Sequence, residues 1–229
     1  MKISSVTIAA AVIVSLGAAG VAAASDQAGK ADKDLGKLSV DGAAAYQDIG
    51  LARLAIYNGK TDDATRLVND AMASLNRAKS DDAVFNKAES DLTPPKNAAA
   101  ETPKTAPASK TAIAWVPVDG EFILDETLAP TSAKTGAVNE ANKHLRNGEP
   151  DKAKDALKVA SADADYVMTL APLMQTMQDV QQAAKLLSNH EYYAAGQQLR
   201  DAQMGVRYDT VEFQANPHAA SADTAKAKG

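Results

Sequence analysis

The stretch VNEANKHLRNGEPDKAKDALKVA, residues 138–160, decides the fold. It reads as two short amphipathic helices meeting at the turn Asn147-Gly148, with a frame of Val138, Ala141, Leu145, Ala153, Leu157 and Ala160. The same frame returns around Asn58-Gly59 as Ile49, Ala52, Ile56, Ala64, Val68 and Ala71. It returns again around Asn189-His190 as Val180, Ala183, Leu187, Ala195, Leu199 and Ala202. In every copy the spacing puts the apolar positions of each helix on one side of a 3.6-residue period, so each helix has one buried stripe. The alanines let backbones approach as ridges settle into grooves. Asn-Gly suits the left-handed residue that closes a helix. His190 holds the Gly place in the third copy and leaves that turn open to a different geometry.

The expected fold class is therefore mainly α: three antiparallel helical hairpins, weakly tetratricopeptide-like, with a small β-sheet element. The offsets of the small and bulky residues match half of a tetratricopeptide repeat. The turns at 58, 147 and 189 are unevenly spaced, however, which favours a compact bundle over a solenoid.

The chain begins with Met1-Lys2, an apolar run from Ile3 to Leu16, and small residues ending in Ala22-Ala23-Ala24 before Ser25. A charged start, a short hydrophobic core and Ala at both specificity positions define a secretory signal peptide over 1–24, cut between Ala24 and Ser25. The core is too short to span a bilayer, so no stable membrane span is expected after cleavage. The formal net charge is −5 and removal of Lys2 makes it more negative. Dispersed cations in an acidic chain argue against nucleic acid as a partner. With Cys 0, stability rests on packing rather than disulfides. These features point to the periplasm of a Gram-negative bacterium.

Segment 25–38 is polar and carries no sustained apolar face. The first helical hairpin region covers 39–92, with Ser39 capping a helix from Val40 to about Asn58, and Thr61-Asp62-Asp63 opening the next. Val84, Phe85 and Ala88 suggest a further helical turn. Residues 93–111 hold Pro94, Pro95, Pro103 and Pro107 and read as an exposed linker. Region 112–213, part of the same domain as 39–92, opens with a strand-like run. There Asp119-Gly120 predicts a β-hairpin between Ile113–Val118 and Phe122–Leu124, with Pro117 at an edge or bulge. Tyr166–Leu170 is a third strand and Pro172 opens the next helix. Val206–Phe213 fits a strand or a helix end, and 214–229 is a polar tail.

The leader, the Ala-rich first hairpin, the proline-rich linker, Trp115-Val116-Pro117-Val118-Asp119, the Asn147-Gly148 hairpin, Met168 through Leu173, Tyr192-Tyr193-Ala194-Ala195 and Arg207-Tyr208-Asp209 occur in an order that resembles the YfdX family of exported bacterial proteins. The resemblance implies a largely helical periplasmic protein linked to acid or heat stress, with no established enzymatic activity and no catalytic residues to carry over.

His144, His190 and His218 are dispersed, with no Cys and no His-Glu-x-x-His spacing, so no metal is expected. Met168, Met174 and Met177 are close in sequence, a soft-metal pattern that core packing also explains. The acid pairs Asp163/Asp165 and Asp125/Glu126 lack a nucleophile elbow or phosphate loop beside them, so no catalytic residue and no cofactor is assigned. Trp115, Tyr192 and Tyr193 stand out among few aromatics as contacts for a partner or apolar ligand, a pattern that packing between sheet and helices also explains. The function expected is non-enzymatic protection, by binding client or envelope proteins as a homo-oligomer. The alternative is a periplasmic small-ligand-binding protein.

Overall fold

The computed structural model describes residues 38–95, 108–124 and 130–215. The signal peptide with Ala22, Ala24 and Ser25, the polar segment up to Lys37, the middle of the linker and the tail beyond Ala215 lie outside the described residues.

Helix α1 (Val40–Tyr57) starts where the Ser39 hydroxyl accepts from the Gly42 N–H at 2.8 Å, satisfying one of the orphan donors of its first turn. Helix α2 (Thr61–Ala78) carries Asp62 and Asp63 at its positive end and Arg77 in its last turn. Strand β1 (Phe85–Ala88) and a 3₁₀ turn (Glu89–Asp91) follow, then β2 (Ala112–Leu124), α3 (Ser132–Arg146), α4 (Pro150–Val159), β3 (Ala164–Pro172), α5 (Leu173–Ser188), α6 (Tyr192–Met204) and β4 (Arg207–Phe213). The whole is mainly α with a small sheet.

The three turns between paired helices are built alike. At the first, Gly59 N–H donates to Ile56 O and Lys60 N–H to Ala55 O; at the second, Gly148 donates to Leu145 and Glu149 to His144. At the third, His190 donates to Leu187 and Glu191 to Leu186. This is the Schellman pattern, in which the last carbonyls of a helix are satisfied through one left-handed residue. The φ values are 69° at Gly59, 71° at Gly148 and 61° at His190, so the third turn has the same geometry despite its Cβ.

Sixteen of the eighteen frame positions are buried, while Ile56 and Ala160 are half-buried. The pairs do not stack in chain order. Helix α1 packs on α2 and α6, and α5 on α2 and α6, closing a four-helix ring around Ile49, Val68, Leu75, Val180 and Leu199. The middle pair, α3 and α4, belongs to a second core that includes Trp115, Phe122, Tyr166, Leu170 and Phe213. Phe122 anchors it, its ring centroid 5.1 Å from that of Tyr166 and 5.7 Å from that of Phe213.

The sheet is an antiparallel meander in the order β1-β2-β3-β4. Three expectations are corrected. The region around Val84–Ala88 forms strand β1 and a 3₁₀ turn instead of a helical turn, because Phe85 pairs opposite Trp115. Asp119-Gly120 does not turn, and β2 runs through it as one strand. The register steps between Pro117 and Asp119, and Gly120 lies opposite Met168 in β3. Gly120 is there for packing, since a Cβ on it would collide with the Tyr166 hydroxyl. Pro172 is the N-cap of α5 rather than its first helical residue. Val206–Phe213 resolves as strand β4.

Because β1 pairs only with residues 112–115 of β2, the rest of that edge needs other partners. Ser39 N–H donates to Pro117 O at 3.0 Å, and Gly42 fits closely enough that a Cβ would lie 2.6 Å from a Val116 methyl. Further along, the Asn142 amide of α3 plays the part of a missing strand. Its Oδ1 accepts from Phe122 N–H at 2.7 Å and its Nδ2 donates to Phe122 O at 2.8 Å.

Asn142→Ala removes both bonds beside a Phe122 that is 1% exposed. Urea unfolding of this variant should show a loss of about 1–3 kcal/mol. An unchanged midpoint would show that the clamp contributes nothing.

Candidate functional site

In α6 the expected residues Tyr192 and Tyr193 occupy the first helical turn, one residue apart and therefore on different faces. Tyr192 packs partly against the four-helix core, its hydroxyl 2.8 Å from His190 Nδ1. Tyr193 is 80% exposed. Gly196 and Arg200 continue the Tyr193 stripe at i+3 and i+7. Across from them, the last turn of α1 presents Arg53 and, four residues on, Tyr57, which is 88% exposed.

The two stripes wall a groove of about 400 Å³. Gly196 keeps its floor low: a Cβ there would meet Ile56 Cγ2 at 3.8 Å, so extra bulk would occupy the groove itself. The Arg53 guanidinium donates to the Gln203 side chain, which fixes it on the wall. Among the described residues the lining combines two guanidinium groups and three phenols, and none of it is acidic. The groove therefore presents charge and aromatic surface side by side.

Trp115, the third aromatic expected at the site, is elsewhere. It is 1% exposed in the sheet core, its Nε1–H donating to Lys87 O at 3.0 Å, and so has no surface to offer a partner. Sequence reasoning missed Arg53, Tyr57 and Arg200. The i, i+7 spacing of Tyr193 and Arg200 was visible, but the packing of the first helix pair on the third was not.

A second depression, about 550 Å³, runs along α5 and α6 and is lined by glutamines, among them Gln175, Gln182 and Gln198, with Lys185 and Asp179. Burial pushes the Asp179 carboxyl above its ordinary range; the hydrogen bond from Gln175, 2.9 Å, opposes that and Asp201 adds to it. Nearby Tyr46, whose hydroxyl donates to Ala202 O at 2.6 Å, is pushed far up by burial, then by Asp179 and Tyr208.

The remaining candidates do not converge. Met168 lies in the sheet core, Met177 against the helical core, and Met174 is 53% exposed. His144 contacts Glu149 at 2.7 Å and Glu140 at 3.5 Å, while His218, Asp125 and Glu126 lie outside the described residues. Asp163 accepts from Ala215 N–H at 2.8 Å. Among the described residues no three or more His, Cys, Asp or Glu are grouped to hold a metal, and no helix is long and apolar enough to cross a membrane.

A four-helix ring joined to a small antiparallel meander, with its most exposed aromatics on one groove, defines a mainly helical protein with a small sheet. Residues 45–212 match the family described as YfdX protein, and the chain belongs to that family. It is similar to Protein YfdX of Escherichia coli (strain K12), 27% identical over 177 residues, or 76% of this chain and 75% of the relative. It is also similar to a solved structure of Salmonella Typhi YfdX, at a TM-score of 0.50 and 28% identity, covering 78% of this chain and 94% of the other.

A carboxyl with a raised folded-state pKa favours the proton in the fold, so its ionisation costs stability as pH rises through that value. Asp179→Asn should therefore melt higher than the parent at pH 7, with the gain vanishing once the pH falls below the ordinary Asp range. A gain that persists undiminished in acid would assign the effect to something other than this carboxylate.

Proposed function

We propose that this chain is an exported, non-enzymatic protein that protects envelope proteins under heat or acid stress by binding clients or an envelope partner in the periplasm. The observation that carries this reading is the groove between α1 and α6, where exposed phenols and guanidinium groups stand on a rigid helical ring. Tyrosine gives contact area at low entropic cost and arginine gives directional bonds, which is why both recur where proteins meet. The leader at 1–24, the absence of cysteine from the sequence and the membership in the YfdX family are in keeping with it. The helix pairs, read as antiparallel hairpins with a weak tetratricopeptide likeness, are the scaffold. At equimolar dose the purified protein should slow aggregation of heat- or acid-stressed periplasmic proteins, as followed by turbidity. Turbidity curves that coincide with and without it would end the protective reading.

Self-association belongs to the same proposal. Helix α1 is apolar beyond what its inner face needs, with Val40 at 82%, Leu51 at 42% and Leu54 at 55% exposure on a single outer stripe. A helix that is hydrophobic on both sides is normally covered on both. Sedimentation should show an oligomer that Leu51→Asp with Leu54→Asp reduces to the monomer. A parent protein that already sediments as a monomer removes the idea.

The glutamine-lined depression supports a second reading, a periplasmic binder of a small polar ligand, since amide groups both donate and accept. Native mass spectrometry that shows a small molecule retained through purification would favour it.

A further inference from the structure

We propose that the depression along α5 and α6 binds a short zwitterionic peptide, about three residues long, with its free amine at Asp179 and its carboxylate at Lys185. This rests on the small-ligand reading given above and names the chemical class of that ligand.

The floor is made of amides. Gln178, Gln181 and Gln182 on α5 and Gln198 on α6 line the depression, and none of these four carboxamides is hydrogen-bonded among the described residues. A carboxamide both donates and accepts, and a peptide group carries one donor and one acceptor. The backbone of a short peptide therefore finds partners along the whole floor. No aromatic ring belongs to the described lining, so a nucleobase has no face to stack on.

The two ends carry opposite charge. Asp179 and Lys185 are the charged residues of the described lining. Asp179 is 8% exposed and accepts at Oδ1 from Gln175 Nε2 at 2.9 Å. Burial pushes its carboxyl above the ordinary range, the bond from Gln175 opposes that, and Asp201, of the same sign, adds to it. A ligand ammonium supplies the counter-charge that this carboxylate lacks. Lys185 forms no ion pair among the described residues, so its amine can meet a terminal carboxylate.

Spacing selects the length. Asp179 and Lys185 stand six residues apart on α5, about 9 Å of helix rise. Three extended residues span roughly 10 Å, which brings one peptide terminus to each charge. The volume of about 550 Å³ lies in the range of small-ligand clefts. A neutral polyol would pair with the amides and leave both charges without a partner. A ligand charged at both ends with one sign would meet repulsion at Asp179 or at Lys185.

The test is isothermal titration calorimetry of the full exported chain at pH 7 with tri-alanine, N-acetyl-tri-alanine, tri-alanine amide and maltose. Tri-alanine should bind, and capping either end should weaken it by at least about tenfold. Asp179→Asn should weaken tri-alanine by about tenfold and leave the acetylated peptide unchanged, while Lys185→Gln should do the same with the amidated one. A variant that merely loosened the fold would weaken every peptide alike. Lys185 is exposed, so Lys185→Gln with the amide decides the matter should Asp179→Asn fail to fold. No heat from tri-alanine, equal affinity for free and capped peptides, or a uniform loss in both variants overturns the proposal. Maltose binding in place of tri-alanine, or a retained molecule without a peptide bond in native mass spectrometry, overturns the peptide class and leaves the small-ligand reading standing. No heat from any compound together with no retained molecule ends both.

Discussion

The alanines at the centre of the ring set how close the backbones of α1, α2, α5 and α6 can come, and the rest of the molecule is arranged around that distance. Ala45, Ala52, Ala64, Ala71, Ala183 and Ala195 are each fully buried, and between them Ile49, Val68, Val180 and Leu199 fill the space that remains. Small and large residues alternate, which lets the helices interdigitate. A larger side chain at any of these alanines would push two helices apart. It would then move the α1 and α6 stripes that form the groove walls. The site is thus a by-product of helix spacing, and its width is set in the core.

The second core depends on the first through β2. Val116 and Val118 belong to the helical cluster while Trp115 and Phe122 belong to the sheet cluster, so one strand carries side chains into both. The step in register after Pro117 is what allows this alternation to change sides along a single strand. Charged groups close the far end. Lys87 of β1 pairs with Asp209 of β4 at 2.6 Å and Arg207 of β4 with Glu89 of the 3₁₀ turn at 2.5 Å, linking the two edges of the meander. The chain after β1 reaches β4, where Thr93 and Tyr208 exchange two backbone hydrogen bonds.

Most of the helical half was legible because its signals are local. The frame of Ile49, Ala52 and Val68, the Ser39 cap and the Asn-Gly turns each depend on residues within a few positions of one another. His190 shows how strongly that context acts, since it takes a left-handed conformation that its side chain disfavours. The sheet was harder. Asp119-Gly120 has hairpin chemistry, but the reason for Gly120 is Tyr166, far along the chain in β3. Phe85 carried too little periodicity to tell strand from helix until Trp115 was placed opposite it. The same limit applied to the site. Tyr192 and Tyr193 could be singled out by rarity, as could Trp115, and only three-dimensional packing sends the tryptophan inward and brings Arg53 and Tyr57 to the tyrosines.

The backbone bond from Ser90 N–H to Ser109 O, 3.1 Å, ties together the two ends of the described chain around the proline-rich stretch. With both stems anchored at one place, added length there carries only the entropy of a longer excursion, about 0.6 kcal/mol for each doubling. The position between residues 95 and 108 is therefore a natural cassette: foreign sequence could be grafted there, beyond buried Leu92 and the Thr93 bonds to β4, without disturbing either hydrophobic centre.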